Sequence, residues 1–176
     1  DYLLTILLFT VGLMPETVAA AAPAALYVNG VDILNEQDYT VDCGGGTAVY
    51  DQAANTLTLT DAHITTAYNS ISGIYAEGDL NIVLNGNNTM DGTDTPGGEL
   101  PYGIYAKGGN ISITGTGTLV LTSRAFGIIA DYDLSIGADI EKLYVSAQTQ
   151  ALRSEKGGSV TIGGGLFTGI DKKITI

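Results

Sequence analysis

Stacked β-coils are the fold class this sequence predicts, from three observations: a motif recurring every 24 residues or so, strands that alternate aliphatic with small polar residues, and a glycine-rich, charge-poor composition. The motif stands at Gly73-Ile-Tyr-Ala76, Gly103-Ile-Tyr-Ala106, Gly127-Ile-Ile-Ala130 and, degenerate, Ala151-Leu-Arg-Ser154, with starts 30, 24 and 24 residues apart. Ala48-Val-Tyr-Asp51 takes the equivalent place 25 residues before Gly73, which makes five units. The composition is that of a β-rich chain with many turns: 24 Gly, 4 Pro, no Trp, 10 Tyr and 15% charged residues.

Each unit continues, after a short turn, into a second strand: Leu57-Thr-Leu59, Leu80-Asn-Ile82, Ile111-Ser-Ile113, Leu134-Ser-Ile136 and Val160-Thr-Ile162. Alternation with period two sends the aliphatic residues to one face and the small polar residues to the other. A third segment follows at Thr118 to Leu121, Leu143 to Val145 and Leu166 to Thr168, with Gly or Asn between segments. Three short strands cannot bury their apolar faces alone. Stacking successive coils about 4.8 Å apart closes an interior and pairs each backbone with the next. The expected fold is therefore all-β, a parallel β-helix solenoid of about five coils in which Ile74, Ile104, Ile128 and Leu152 stack inside; right-handedness follows from the general crossover preference.

Ahead of the coils, Leu26-Tyr-Val28 and Val31-Asp-Ile33 flank Asn29-Gly30, a strong hairpin signal. The hairpin is expected to cap the first coil, where an open end would leave strand groups unpaired. The expected domain is 25–176, divided into a cap at 25–47 and coils at 48–176. Residues 1–24 read as the remnant of a signal peptide. The apolar run from Leu3 to Met14 is shorter than the roughly 20 residues a bilayer requires, Pro15 breaks it, and small residues at Ala19 to Ala22 suit a signal peptidase. The mature protein is expected to begin between Ala20 and Ala25, to be secreted or held at the cell surface, and to have no membrane span.

Nineteen acidic against seven basic residues give a net charge of −12, which disfavours nucleic acid. An anionic polysaccharide would need bridging cations, whereas a neutral glycan would not. The single cysteine, Cys43, cannot form an internal disulfide and reads as a small buried residue in a glycine-rich turn.

If the isoleucine of each motif points inward, the next residue points outward, so Tyr50, Tyr75, Tyr105, Ile129 and Arg153 form one exterior column. Three tyrosines at rung spacing make a strip on which sugar rings can lie, although the same rings can simply stabilise neighbouring rungs. Thr58, Asn81, Ser112, Ser135 and Thr161 form a second, polar column with donors and acceptors, as a solvated sheet face also would. The candidate ligand-binding residues are Tyr50, Tyr75, Tyr105, Asn81 and Ser112. The six extra residues of the 30-residue unit fall in Asp91 to Glu99, where Asp91, Asp94 and Glu99 offer hard oxygen ligands for calcium at a spacing unlike an EF-hand.

The run from Leu26 to Ile162, with its Val-Asn-Gly hairpin, Tyr50-Asp51 through Leu57-Thr-Leu-Thr60 and the Gly-Ile-Tyr-Ala units, resembles secreted bacterial right-handed β-helix proteins of the carbohydrate-binding type. That resemblance implies binding of cell-wall polysaccharides, with calcium lodged between coils in some members. The expected function is a non-catalytic polysaccharide-binding module, part of a larger surface protein. A structural segment of a cell-surface adhesin and a partial polysaccharide lyase are the alternatives. Lyase chemistry is disfavoured by the scarcity of basic residues: Arg124 and Arg153 are the only arginines, His63 has no evident second ligand, and Asp131 and Asp133 look like turn aspartates.

Overall fold

The computed structural model describes residues 21–69, 71–91, 101–163, 165–167 and 173–175. The strands are β1 (Leu26–Val28), β2 (Val31–Asp32), β3 (Thr40–Cys43), β4 (Gly46–Asp51), β5 (Thr56–Thr60), β6 (His63–Ile64), β7 (Ser72–Glu77), β8 (Leu80–Asn85), β9 (Asn87–Asp91) and β10 (Tyr102–Lys107). They continue as β11 (Ile111–Gly115), β12 (Thr118–Ser123), β13 (Phe126–Ala130), β14 (Leu134–Ile136), β15 (Lys142–Ala147), β16 (Gln150–Ser154), β17 (Val160–Ile162), β18 (Gly165–Phe167) and β19 (Lys173–Thr175).

The strands form three sheets, ordered β16-β13-β10-β7-β1-β2 in sheet A, β18-β17-β14-β11-β8-β5-β4-β3 in sheet B and β19-β15-β12-β9-β6 in sheet C. From β5 to β17 the chain visits them in the unvarying cycle B, C, A, and each strand lies parallel to the one three before it. Every circuit thus supplies hydrogen-bond partners for the circuit before and after it.

The inward side chains join into one core. Ile74, Ile104, Ile128 and Leu152 are in register across sheet A and essentially inaccessible to solvent, as the repeat predicts. Leu80, Ile111, Leu134 and Val160 do the same in sheet B, and Leu119, Leu143, Leu121 and Val145 in sheet C. Full burial of such a side chain contributes about 1.5–3 kcal/mol, so the stacked rows dominate stability.

The circuits are stitched at the corner between sheets A and B by a polar ladder. Asp79, Asn110, Asp133 and Ser159 each precede a sheet B strand by one residue. The Asp79 carboxylate accepts from Asn110 N at 2.8 Å, the Asn110 side-chain carbonyl from Asp133 N at 2.9 Å, and the Asp133 carboxylate from Ser159 N at 2.8 Å. Each side chain thereby satisfies the first backbone N–H of the next circuit.

Both ends depart from the parallel pattern. The Asn29-Gly30 hairpin forms as expected, with φ of 51° and 81°, and β1 then runs antiparallel along β7. Strands β3 and β4 form an antiparallel extension of sheet B. Ala48 to Asp51 is therefore not a fifth motif unit: it lies in β4 of sheet B, and β1 fills the position below β7 in sheet A. At the other end Leu166 does not begin a third segment. Strand β18 turns back antiparallel on β17, with Gly163 in a left-handed conformation (φ 53°) just beyond β17, and β19 lies antiparallel on β15. Thr168 lies outside the described residues.

The chain is bonded to the folded unit already ahead of β1. Ala24 N donates to Glu77 O at 2.8 Å, and Ala21 O accepts from the Asn55 side-chain amide at 3.0 Å, so residues 21–24 are bonded to the folded unit. The Leu3 to Met14 run lies outside the described residues. Among the described residues, no helix is long and apolar enough to cross a membrane.

Candidate functional site

The outer face of sheet A carries a continuous row of aromatic rings. Tyr75, Tyr105, Ile129 and Arg153 are in register, as the repeat predicts. Tyr50 is not among them. It is 2% exposed and points into the core from β4, where its hydroxyl donates to the side-chain carbonyl of Asn55 at 3.0 Å. Its place is taken by Tyr27 on β1, paired with Tyr75.

Glycine explains why the motif tyrosines emerge while Tyr50 does not. A Cβ on Gly103 would lie 2.5 Å from Leu121 Cδ1, and one on Gly127 would lie 2.2 Å from Val145 Cγ1. These glycines face the core, as do Ile104 and Ile128 after them, so two successive residues point inward. The residues on either side then emerge together, and Tyr102 joins Tyr105 outside. In β4 the alternation is unbroken: Ala48 and Tyr50 are buried, Val49 and Asp51 exposed.

The rings touch in sequence. Tyr27 stacks on Tyr68 with centroids 3.7 Å apart, Tyr68 and Tyr75 are 5.2 Å apart, Tyr75 and Tyr105 5.8 Å edge to face, Tyr105 and Tyr102 6.0 Å, and Tyr102 and Phe126 5.6 Å. The Arg153 guanidinium covers Phe126 at 4.8 Å. Tyr75, 7% exposed, lies beneath its neighbours, whereas Tyr27, Tyr68, Tyr102, Tyr105 and Phe126 are half-buried and present part of each ring to solvent.

Ion pairs border the row. Glu77 accepts from the Tyr75 hydroxyl at 2.8 Å and from Lys107 at 2.9 Å. Asp131, 2% exposed, accepts from Lys156 and Gly108 N at 2.7 Å each and from the Tyr105 hydroxyl at 3.3 Å. Arg153 pairs with Glu155 at 3.2 Å. Lys107 and Tyr75 hold the Glu77 carboxyl below its usual range. Burial pushes Asp131 up, but the bonds from Lys156 and Gly108 outweigh it and the net displacement is downward. Burial, and then the Asp131 charge, push the Tyr105 phenol up to about 12, so it remains a neutral donor. With the Tyr75 and Tyr105 hydroxyls tied back to carboxylates, the row offers rings and ring edges for contact.

The polar residues expected beside this row lie on another face. Asn81, Ser112, Ser135 and Thr161 form one half-buried column, but on sheet B, around the corner from the rings. Its next member is Thr56 rather than Thr58, because β5 pairs two residues out of the expected register and Thr58 faces Val83. The Asn81 amide donates to Asn55 O at 3.0 Å.

Of the calcium candidates, Asp91 ends β9, while Asp94 and Glu99 lie outside the described residues. Among the described residues no three His, Cys, Asp or Glu side chains gather as a metal site would require. Asp133 is bonded to Ser159, and His63 Nδ1 contacts the Thr89 hydroxyl on sheet C. Cys43 is buried, its thiol pushed up to about 11 by desolvation and then by Asp42, which disfavours the reactive thiolate. No protein-family model matches the chain, and neither the curated proteins nor the solved structures hold a significant match.

Proposed function

We propose that the chain is a right-handed parallel β-helix solenoid acting outside the cell as a non-catalytic polysaccharide-binding module of a larger surface protein. The aromatic row of sheet A carries this reading. Half-buried rings on β1, on the segment before β7, on β10 and on β13, joined through the buried Tyr75, suit a polymer whose sugars stack on more than one ring, while hydroxyls at the edge meet charged groups. The solenoid is supported by the cycle through three sheets, its hand by the crossover preference of parallel strands. Export is supported by the apolar Leu3 to Met14 run and the alanines after it.

The test is retention of the fragment from Ala21 onward on insoluble plant polysaccharides. Tyr102→Ala/Tyr105→Ala should remain folded by circular dichroism and lose retention, because stacking needs the ring. Tyr105→Phe, which keeps the ring, should still bind. Unchanged retention by the folded double variant, or none by the wild type on any polymer, would make the row a packing ladder instead. The 3.7 Å stack of Tyr27 on Tyr68 favours that second reading, since those rings already use faces on each other.

A further inference from the structure

Building on the proposed polysaccharide-binding role, we propose that the aromatic row takes neutral polysaccharides and rejects polyuronates. Three ion pairs, Glu77 with Lys107, Asp131 with Lys156 and Arg153 with Glu155, lie beside this row on sheet A or at the corner next to it. Among the described residues, Lys107, Lys156 and Arg153 on that side of the rings are thus each already matched by a carboxylate of this chain. Two of those carboxylates also hold the Tyr75 and Tyr105 hydroxyls.

A uronate approaching Lys107, Lys156 or Arg153 would have to displace a carboxylate already in place. It would also meet the field of a chain carrying −12. A neutral sugar displaces nothing. Its hydroxyls can accept from the ammonium and guanidinium groups and donate to the carboxylates, and stacking does not depend on ligand charge. Arg124, exposed in the turn ahead of β13, is the cation on the opposite side of the row, and its contribution falls within the same measurement.

The experiment compares retention on neutral polymers (cellulose, mannan, xylan) with retention on cross-linked polygalacturonate, at low and raised salt and with and without calcium. The expected result is retention on at least one neutral polymer, insensitive to salt, and none on polygalacturonate. Glu77→Gln, which removes the carboxylate facing Lys107, should gain retention on polygalacturonate at low salt and lose it as salt rises. Wild-type retention on polygalacturonate, or no gain by a folded Glu77→Gln, overturns the neutral-ligand inference while leaving the binding role standing. Loss from every polymer defeats the binding role and this inference with it.

Discussion

Gly103 shows how much one hydrogen atom decides here. Facing the core against Leu121 Cδ1 and, at 2.6 Å, the carbonyl of Gly127, it leaves no room for a methyl group. Gly103→Ala should therefore destabilise by about 1–3 kcal/mol, the usual cost of overpacking, seen as a lower thermal midpoint with unchanged strand content. The same glycine was the legible part of the Gly-Ile-Tyr-Ala repeat, but its consequence was not. Motif spacing reads Tyr50 as equivalent to Tyr75 and is silent on Tyr102; glycine as a second inward residue accounts both for the buried Tyr50, whose strand keeps strict alternation, and for the outward Tyr102. Tyr27 was readable from Leu26-Tyr-Val28, whose alternation buries residues 26 and 28. Asn55 gave no such signal. It is fully buried, at φ 46°, accepts from Tyr50 and donates to Ala21 O and Asp79 O. Asn55→Ala should cost about 1–3 kcal/mol for the groups left unpaired, whereas Tyr50→Phe, which removes one partner, should cost less; chemical denaturation of the two variants gives the comparison.

Strands and their ends follow a related logic, because each element is specified where it enters a sheet. The Asp79-Leu80, Asn110-Ile111, Asp133-Leu134 and Ser159-Val160 steps put a small hydrogen-bonding side chain one residue before every sheet B strand from β8 to β17. That pattern stands in the sequence beside the aliphatic alternation, yet its role appears only when successive circuits are stacked. Asn110→Ala should lose the bonds to Asp79 and from Asp133 N and lower stability by about 1 kcal/mol. The N-terminal segment makes a sharper test. A chain starting at Leu26 forfeits the Ala24 N to Glu77 O and Glu77 N to Ala25 O bonds and one partner of Asn55, so it should melt below a chain starting at Ala21. Equal melting of the two would place residues 21–25 outside the cooperative unit. The antiparallel ends were the least legible elements. A 24-residue period describes interior circuits, and terminal segments are selected to cover open edges rather than to continue the repeat.

For the molecule as a whole, the repeat made the three-sheet cycle readable, while the line of rings depended on which strand borders which, and sequence spacing alone does not give that. The balance of charge across the whole fold sets its response to pH, and here two effects oppose each other. Titrating away the −12 charge relieves self-repulsion, which predicts gain in stability on acidification. Glu77, Asp131 and Asp133 predict loss, because their folded carboxyls are held below the ordinary range, chiefly by Lys107 for Glu77, by Lys156 and Gly108 against burial for Asp131, and by Ser159 for Asp133. A depressed carboxyl contributes stability that is complete above its unfolded value of about 4 and disappears as pH falls through the folded value. At physiological ionic strength the Debye length is about 8 Å, so repulsion between exposed charges is largely screened, whereas the short contacts to the buried Asp131 carboxylate, from Gly108 N and from an exposed Lys156, are screened less. Loss should therefore win. Tyr105 acts in the opposite direction: its phenol, raised to about 12, contributes stability that is complete below its ordinary value of about 10 and is lost as pH climbs through the folded value. The expected denaturation profile is level from about pH 5 to 9 and falls on both sides. Tyr105→Phe should reduce the alkaline fall, to which the raised Cys43 thiol also contributes, and Asp131→Asn should reduce the acid fall. Stability that rose steadily on acidification to pH 3 in moderate salt would mean that net charge, and not the tethered carboxylates beside the rings, governs the fold.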